Sequence, residues 1–67
     1  MTTFTTTGPD LTTKTRNSKA AYVAATWINY KGQGWEFKSF HKTSKAARDY
    51  EAHWIKSGNA QTFVDYL

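Results

Sequence analysis

Large apolar and polar residues are unevenly distributed along this chain, and their pattern divides it into elements. From Ala20 to Tyr30 it reads AAYVAATWINY, rich in aromatic and β-branched side chains, and it stops at KGQG, where Gly32 and Gly34 can take positive φ without steric cost. WEFKSFHK follows, with large apolar and polar residues alternating in its first half. The stretch from about 20 to 42 is therefore predicted to be a β-hairpin. If Tyr30 pairs with Trp35 across the loop, Ile28 faces Phe37 and Thr26 faces Ser39. On that register one side collects Tyr22, Ile28, Tyr30, Trp35 and Phe37 and is expected to face the core. The other side shows Val23, Trp27, Asn29, Glu36, Lys38 and the end of the strand at Phe40, with the Trp27 indole exposed as a contact surface.

Thr43 and Ser44 stand directly before KAARDYEAHWIKSGN, which has strong helix formers at its start and Gly58 just past its end, predicting a helix over 44–57. At 100° per residue Ala46, Ala47, Tyr50, His53, Trp54 and Ser57 fall in one sector, expected to pack on the sheet. Ile55 falls outside it, with no partner unless another segment or molecule covers it. AQTFVDYL alternates again and predicts a short third strand. Residues 1–18 hold eight threonines and, after Met1, only Phe4 and Leu11 as sizeable apolar anchors. They are expected to form a flexible arm, part of which (Leu11 to Arg16) could add an edge strand to a sheet. The expected organisation is this arm followed by a single small α+β domain over 19–67, a small antiparallel sheet packed on one helix.

Length and composition then narrow the reading. A chain of 67 residues has little core to build, and with no cysteine and two histidines it has neither a disulfide nor a zinc site to reinforce it. Aromatic packing is left: three Trp, four Tyr and four Phe. The absence of any run of about 18 apolar residues, or of an apolar segment after Met1, predicts no membrane span, no secretory signal and a cytoplasmic location. His41 is expected at the surface near positive charge, and His53 in the core. With Glu36, Asp49, Glu51 and Asp65 scattered, nothing resembles an acid–base pair, a metal site or a phosphate loop, so no enzyme, cofactor or metal is expected.

Charge is the stronger feature. Nine Lys and Arg against five Asp and Glu give a net charge of +4. Lys31, Lys38, Lys42, Lys45 and Arg48 crowd residues 31–48, and Lys14, Arg16 and Lys19 precede the hairpin. Ammonium groups beside aromatic rings suit phosphates and bases. The expected contact residues are Trp27, Asn29, Lys31, Lys38, Lys42, Lys45 and Arg16, and the expected partner is DNA. The alternative is a protein-interaction module, such as a phage-encoded inhibitor, that sets the same aromatic and basic surface, or a sheet edge, against an acidic host protein. No small-molecule substrate is expected.

FHKTSKAARDYEAHW resembles the end of the three-stranded-sheet-plus-helix DNA-binding domains of plant ethylene-response factors, phage homing endonucleases and the arm-binding domains of tyrosine recombinases. Phe40, Ala46, Ala47 and Tyr50 match their spacing, Gly58 and Ala60 resemble their helix stop, and Trp27 with the Lys31-Gly32 turn is similar to their hairpin. The resemblance covers roughly residues 22–60. It implies a DNA-binding accessory domain, of phage or mobile-element type, that lays its sheet on a groove. Where the family has its capping Thr this chain has Lys42, and only Arg16 and Arg48 are arginines, so phosphate contact rather than base-edge reading is expected.

Overall fold

A computed structural model describes residues 1–67. Its elements are β1 (Thr2–Thr7), β2 (Thr13–Ser18), β3 (Ala24–Tyr30), β4 (Trp35–His41), α1 (Ser44–Ser57) and β5 (Ala60–Tyr66). The last four form the expected α+β layer, a sheet of order β4-β3-β5 with antiparallel neighbours and α1 on one face.

Local chemistry sets the boundaries. The β3–β4 turn has Lys31 and Gly32 at φ 55° and 71° and a Gln33 N–H to Tyr30 carbonyl bond of 3.1 Å, the geometry of a tight hairpin turn whose twist matches its strands. Thr43 caps α1, its hydroxyl accepting from the Ala46 N–H at 3.0 Å. Gly58, at φ 76°, ends the helix.

The chain departs from expectation in three places. In place of a flexible arm, residues 2–18 form a hairpin, with Thr2 opposite Ser18 and Thr7 opposite Thr13. Its turn is closed by Gly8 N–H to Thr12 carbonyl and by an Asp10 carboxylate that accepts from the Thr12 N–H. The hairpin has a surface to pack on, which a reading of its own composition could not supply.

Second, the β3–β4 register shifts between Thr26 and Trp27. Thr26 faces Ser39 as expected, but Trp27 faces Phe37 and Ile28 faces Glu36, so Lys38 is the extra residue of a β-bulge. The bulge carries Phe37 away from the helix to the Trp27 ring, edge-on at 5.7 Å. Tyr22, also expected under the helix, is instead stacked on Phe40 at 5.1 Å and meets Phe4 edge-on.

Third, α1 is rolled toward β5. Ala47 is fully buried and Tyr50, Glu51 and Trp54 are half-buried, while Ala46, His53 and Ser57 are exposed. The Thr62 hydroxyl donates to Glu51 at 2.6 Å and holds that flank over β5. The two histidines exchange expected places. His53 lies in solvent, and His41, opposite Ala24 and beside Tyr50, is buried with Nε2 2.8 Å from the Thr26 hydroxyl.

The face of the sheet away from α1 is covered by β1. Phe4 lies near Phe40 of β4, while Thr6 and Thr7 reach Asp65 of β5, so β1 crosses the sheet. Trp27 lies beneath it, only 1% exposed and the largest fully buried side chain. Burying about 150–250 Å² of indole at about 25 cal/mol/Å² makes it the largest single apolar contribution to the core, roughly 4–6 kcal/mol.

Candidate nucleic-acid interface

The residues expected to meet a partner do not lie on one face. Trp27 is excluded from any contact surface: its Nε1–H donates to the Thr6 hydroxyl at 3.0 Å and Gly8 lies flat on its ring. The bulge and the N-terminal hairpin together turn the expected open face into a second core. Asn29 is half-buried near the β3–β4 turn, its side chain donating to Gln61 at 3.2 Å and accepting from the Gly34 N–H at 3.1 Å.

The candidate cations lie toward the two ends of the sheet, except that Lys38 starts from the middle of β4 and extends its ammonium toward the aromatic pair at the turn end. Lys31, in the turn, lies 5.2 Å from the Tyr30 ring, and Lys38 lies 5.3 Å from the ring of Trp54 while pairing with Glu36 at 3.1 Å. Tyr30 and Trp54 meet edge-on at 5.9 Å, so these two lysines flank one aromatic pair. Sequence reasoning missed Trp54 as part of this surface because the helix pattern assigns it wholly to the core. Its Nε1–H is buried without a hydrogen-bond partner.

At the other end Arg16 of β2 stands 5.8 Å from the Tyr22 ring, which stacks on Phe40. Lys42 follows two residues later in the connection to α1, and exposed Lys45 lies in the first helical turn, paired with Asp49 at 2.7 Å. No acidic residue occupies that first turn, so the positive end of the helix dipole is not neutralised there. A seven-residue strand at about 3.3 Å per residue separates the two ends by roughly 20 Å.

Of nine Lys and Arg, only Lys38 and Lys45 are ion-paired, leaving seven without a carboxylate partner. Two of the five acids are drawn inward, Asp65 by Thr6 and Thr7 and Glu51 by Thr62. The surface has no cavity, and no three His, Cys, Asp or Glu side chains come together. No helix is long and apolar enough to cross a membrane.

No protein-family model matches the chain, and no curated protein or solved structure matches it.

Proposed function

We propose that this is a small non-enzymatic binding protein whose ligand is an extended polyanion, duplex DNA, held through its phosphates by the two basic ends of the sheet. One observation carries the reading: seven of the nine cations have no carboxylate partner, while four of the five acids are tied internally or spent in exposed pairs with Lys38 and Lys45. Exposed pairs such as Lys45–Asp49 are worth at most about 1 kcal/mol, so a phosphate can replace the carboxylate at little cost. Cations roughly 20 Å apart span about six phosphates of one strand at about 3.4 Å each. Arg16, Lys42 and Lys45 contact one end of that span, Lys31 and Lys38 the other, with Asn29 beside the second group. With Trp27 interior and arginines few, binding is by backbone contact and weakly sequence-selective. Action in the cytoplasm, as an accessory protein of a phage or mobile element, belongs to the same proposal.

A salt-dependent titration with duplex tests it. Changing Lys31 and Lys42 together to Gln is expected to weaken binding about equally across sequences and to reduce the slope of log K against log salt by nearly two units, since each contact contributes roughly 0.9. No duplex binding at about 50 mM salt, in a titration passing the usual non-specific range of roughly 10⁻⁴–10⁻⁶ M, would remove the proposal and leave an acidic protein as the partner to seek.

A further inference from the structure

The two outer strands of the three-stranded sheet have different free edges. β4 carries a bulge with a lysine at its centre, two of the devices that prevent edge-to-edge pairing. β5 has neither: it pairs with β3 without a register shift and contains no Lys, Arg, Pro or Gly. Phe63 and Tyr66 on it are exposed.

Hydrogen bonds at both ends of the β3–β5 ladder fix the direction of its peptide groups. The Lys31 N–H donates to the Asn59 carbonyl at 2.7 Å, and the Leu67 N–H to the Val23 carbonyl at 3.0 Å. Bonded and non-bonded pairs alternate in an antiparallel ladder, so odd-numbered residues from 59 to 67 bond to β3. The N–H and C=O groups of Ala60, Thr62, Val64 and Tyr66 therefore point outward along an unpaired edge.

The helix adds to the same side. Ser44, Arg48, Glu51 and Ile55, spaced i, i+4, i+7, i+11, form one stripe, and the Thr62–Glu51 bond sets that stripe over β5. On the opposite flank Tyr50 meets His41 of β4. Ile55, 58% exposed and unexplained by the intramolecular core, lies on the β5 side.

We propose that this side is a two-fold interface on which a second copy of the chain sets its β5 antiparallel to the first, joining two three-stranded sheets into one of six. A register with Phe63 opposite its own copy places Thr62 opposite Val64 and Ala60 opposite Tyr66, and so uses all four outward-pointing residues. The strand is self-complementary: its one charge, Asp65, falls opposite Gln61 and not opposite itself. Because α1 packs chiefly on β5 and then on β3, it lies over the space between them. With strands about 4.8 Å apart, the two-fold brings the helices to roughly 10 Å, the spacing of packed helices. Ile55 is then covered, and Arg48 of one copy approaches Glu51 of the other. The proposal is independent of DNA binding, whose cations lie on β2, on β4, in the connections flanking β4 and, at Lys45, in the first turn of α1.

Sedimentation equilibrium of the full chain from about 1 μM to about 1 mM tests it, a range that covers marginal association. The mass is expected to rise from 7.6 kDa toward twice that value, with the Thr62, Val64 and Tyr66 amides becoming protected from exchange as concentration rises. Val64→Pro removes an outward N–H while sparing the β3 ladder, and is expected to be a monomer with unchanged helical signal. Phe63→Lys, which sets like charges opposite each other and covers the case in which the proline variant fails to fold, is expected to weaken association about tenfold or more. A monomer throughout the range with fast-exchanging Thr62 and Val64 amides would overturn the proposal. So would a dimer indifferent to both substitutions, or edge amides protected only when some other molecule is added.

Discussion

The two faces of the central sheet are sealed by different means. Toward α1 the cover is side-chain bulk: Ala47 allows close approach, and Tyr50 and Trp54 fill the space beside His41 and Tyr30. Toward the N-terminal hairpin the cover is mostly threonine and glycine, and yet it hides the largest residue of the core. It does so by treating the indole as two surfaces. Thr6 accepts from the Nε1–H and donates its own hydroxyl hydrogen bond to Asp65, while Gly8 lies on the flat of the ring, where any side chain would collide. A segment poor in apolar residues can thus bury a tryptophan when it matches the ring's polar edge and apolar face separately.

Trp27 is the residue on which the hairpin face depends most, with the hairpin over its ring and Phe37 edge-on beside it. Trp27→Ala is expected to cost about 3–5 kcal/mol, close to the whole stability of so small a domain, and to leave the chain largely unfolded. Trp54→Ala, on the half-exposed helix side, is expected to keep a cooperative melt at a lower midpoint. Equal losses in the two variants would show that the faces are not distinct.

Gly8→Ala acts on one face only. Its Cβ would come within 2.7 Å of the Trp27 ring, so the hairpin or the ring must move, at about 1–3 kcal/mol. The expected signature is rapid proteolysis within residues 1–18 with the helical circular dichroism retained. Thr6→Val keeps the shape but leaves the indole N–H without its acceptor and Asp65 with only the longer bond from the Thr7 N–H, and is expected to cost about 1–3 kcal/mol. Urea melts of Thr6→Val, Asp65→Asn and the double variant would show whether the bond is shared, since coupled partners lose less together than the sum of the single losses.

The smallest effect belongs to the helix face. Burial lowers the His41 pKa from the usual 6.5, because desolvation disfavours the charged ring in the folded protein. As pH falls through about 6.5 the unfolded chain takes up the proton first; stability is full above that value and declines until the folded-state pKa is passed. The urea midpoint is expected to drop between about pH 7.5 and 5.5, and His41→Gln to flatten that part of the profile.

How much of this was legible in the sequence follows from how local each signal is. The β3–β4 hairpin, the helix over 44–57 with its Thr43 cap and Gly58 stop, and the last strand rest on neighbouring residues and were readable. The bulge at Lys38 was not, because alternation through EFKSF is equally consistent with an unbroken strand, and the one-residue shift changes the face on which Phe37 sits. The order in residues 2–18 was invisible for the opposite reason: the hairpin depends on Trp27 and Asp65, far away in the chain. Of the residues expected to bind, the cations and Asn29 keep polar atoms at the surface, whereas Trp27 is interior.

The bond from Thr6 to Asp65 also constrains the order in which the molecule can assemble. The two hairpins close over short stretches of chain and can form early. The β3–β5 ladder joins residues as far apart as Ala24 and Tyr66, and the Thr6–Asp65 contact spans 59 positions. Contacts of such separation form slowly, because the intervening chain must be ordered before they are rewarded. A nascent chain emerging from the ribosome therefore carries Trp27 under an incompletely anchored cover until β5 is available. In that interval the central strand is paired on one side only, and its open edge, which the finished fold closes, can be captured by a chaperone or by another chain.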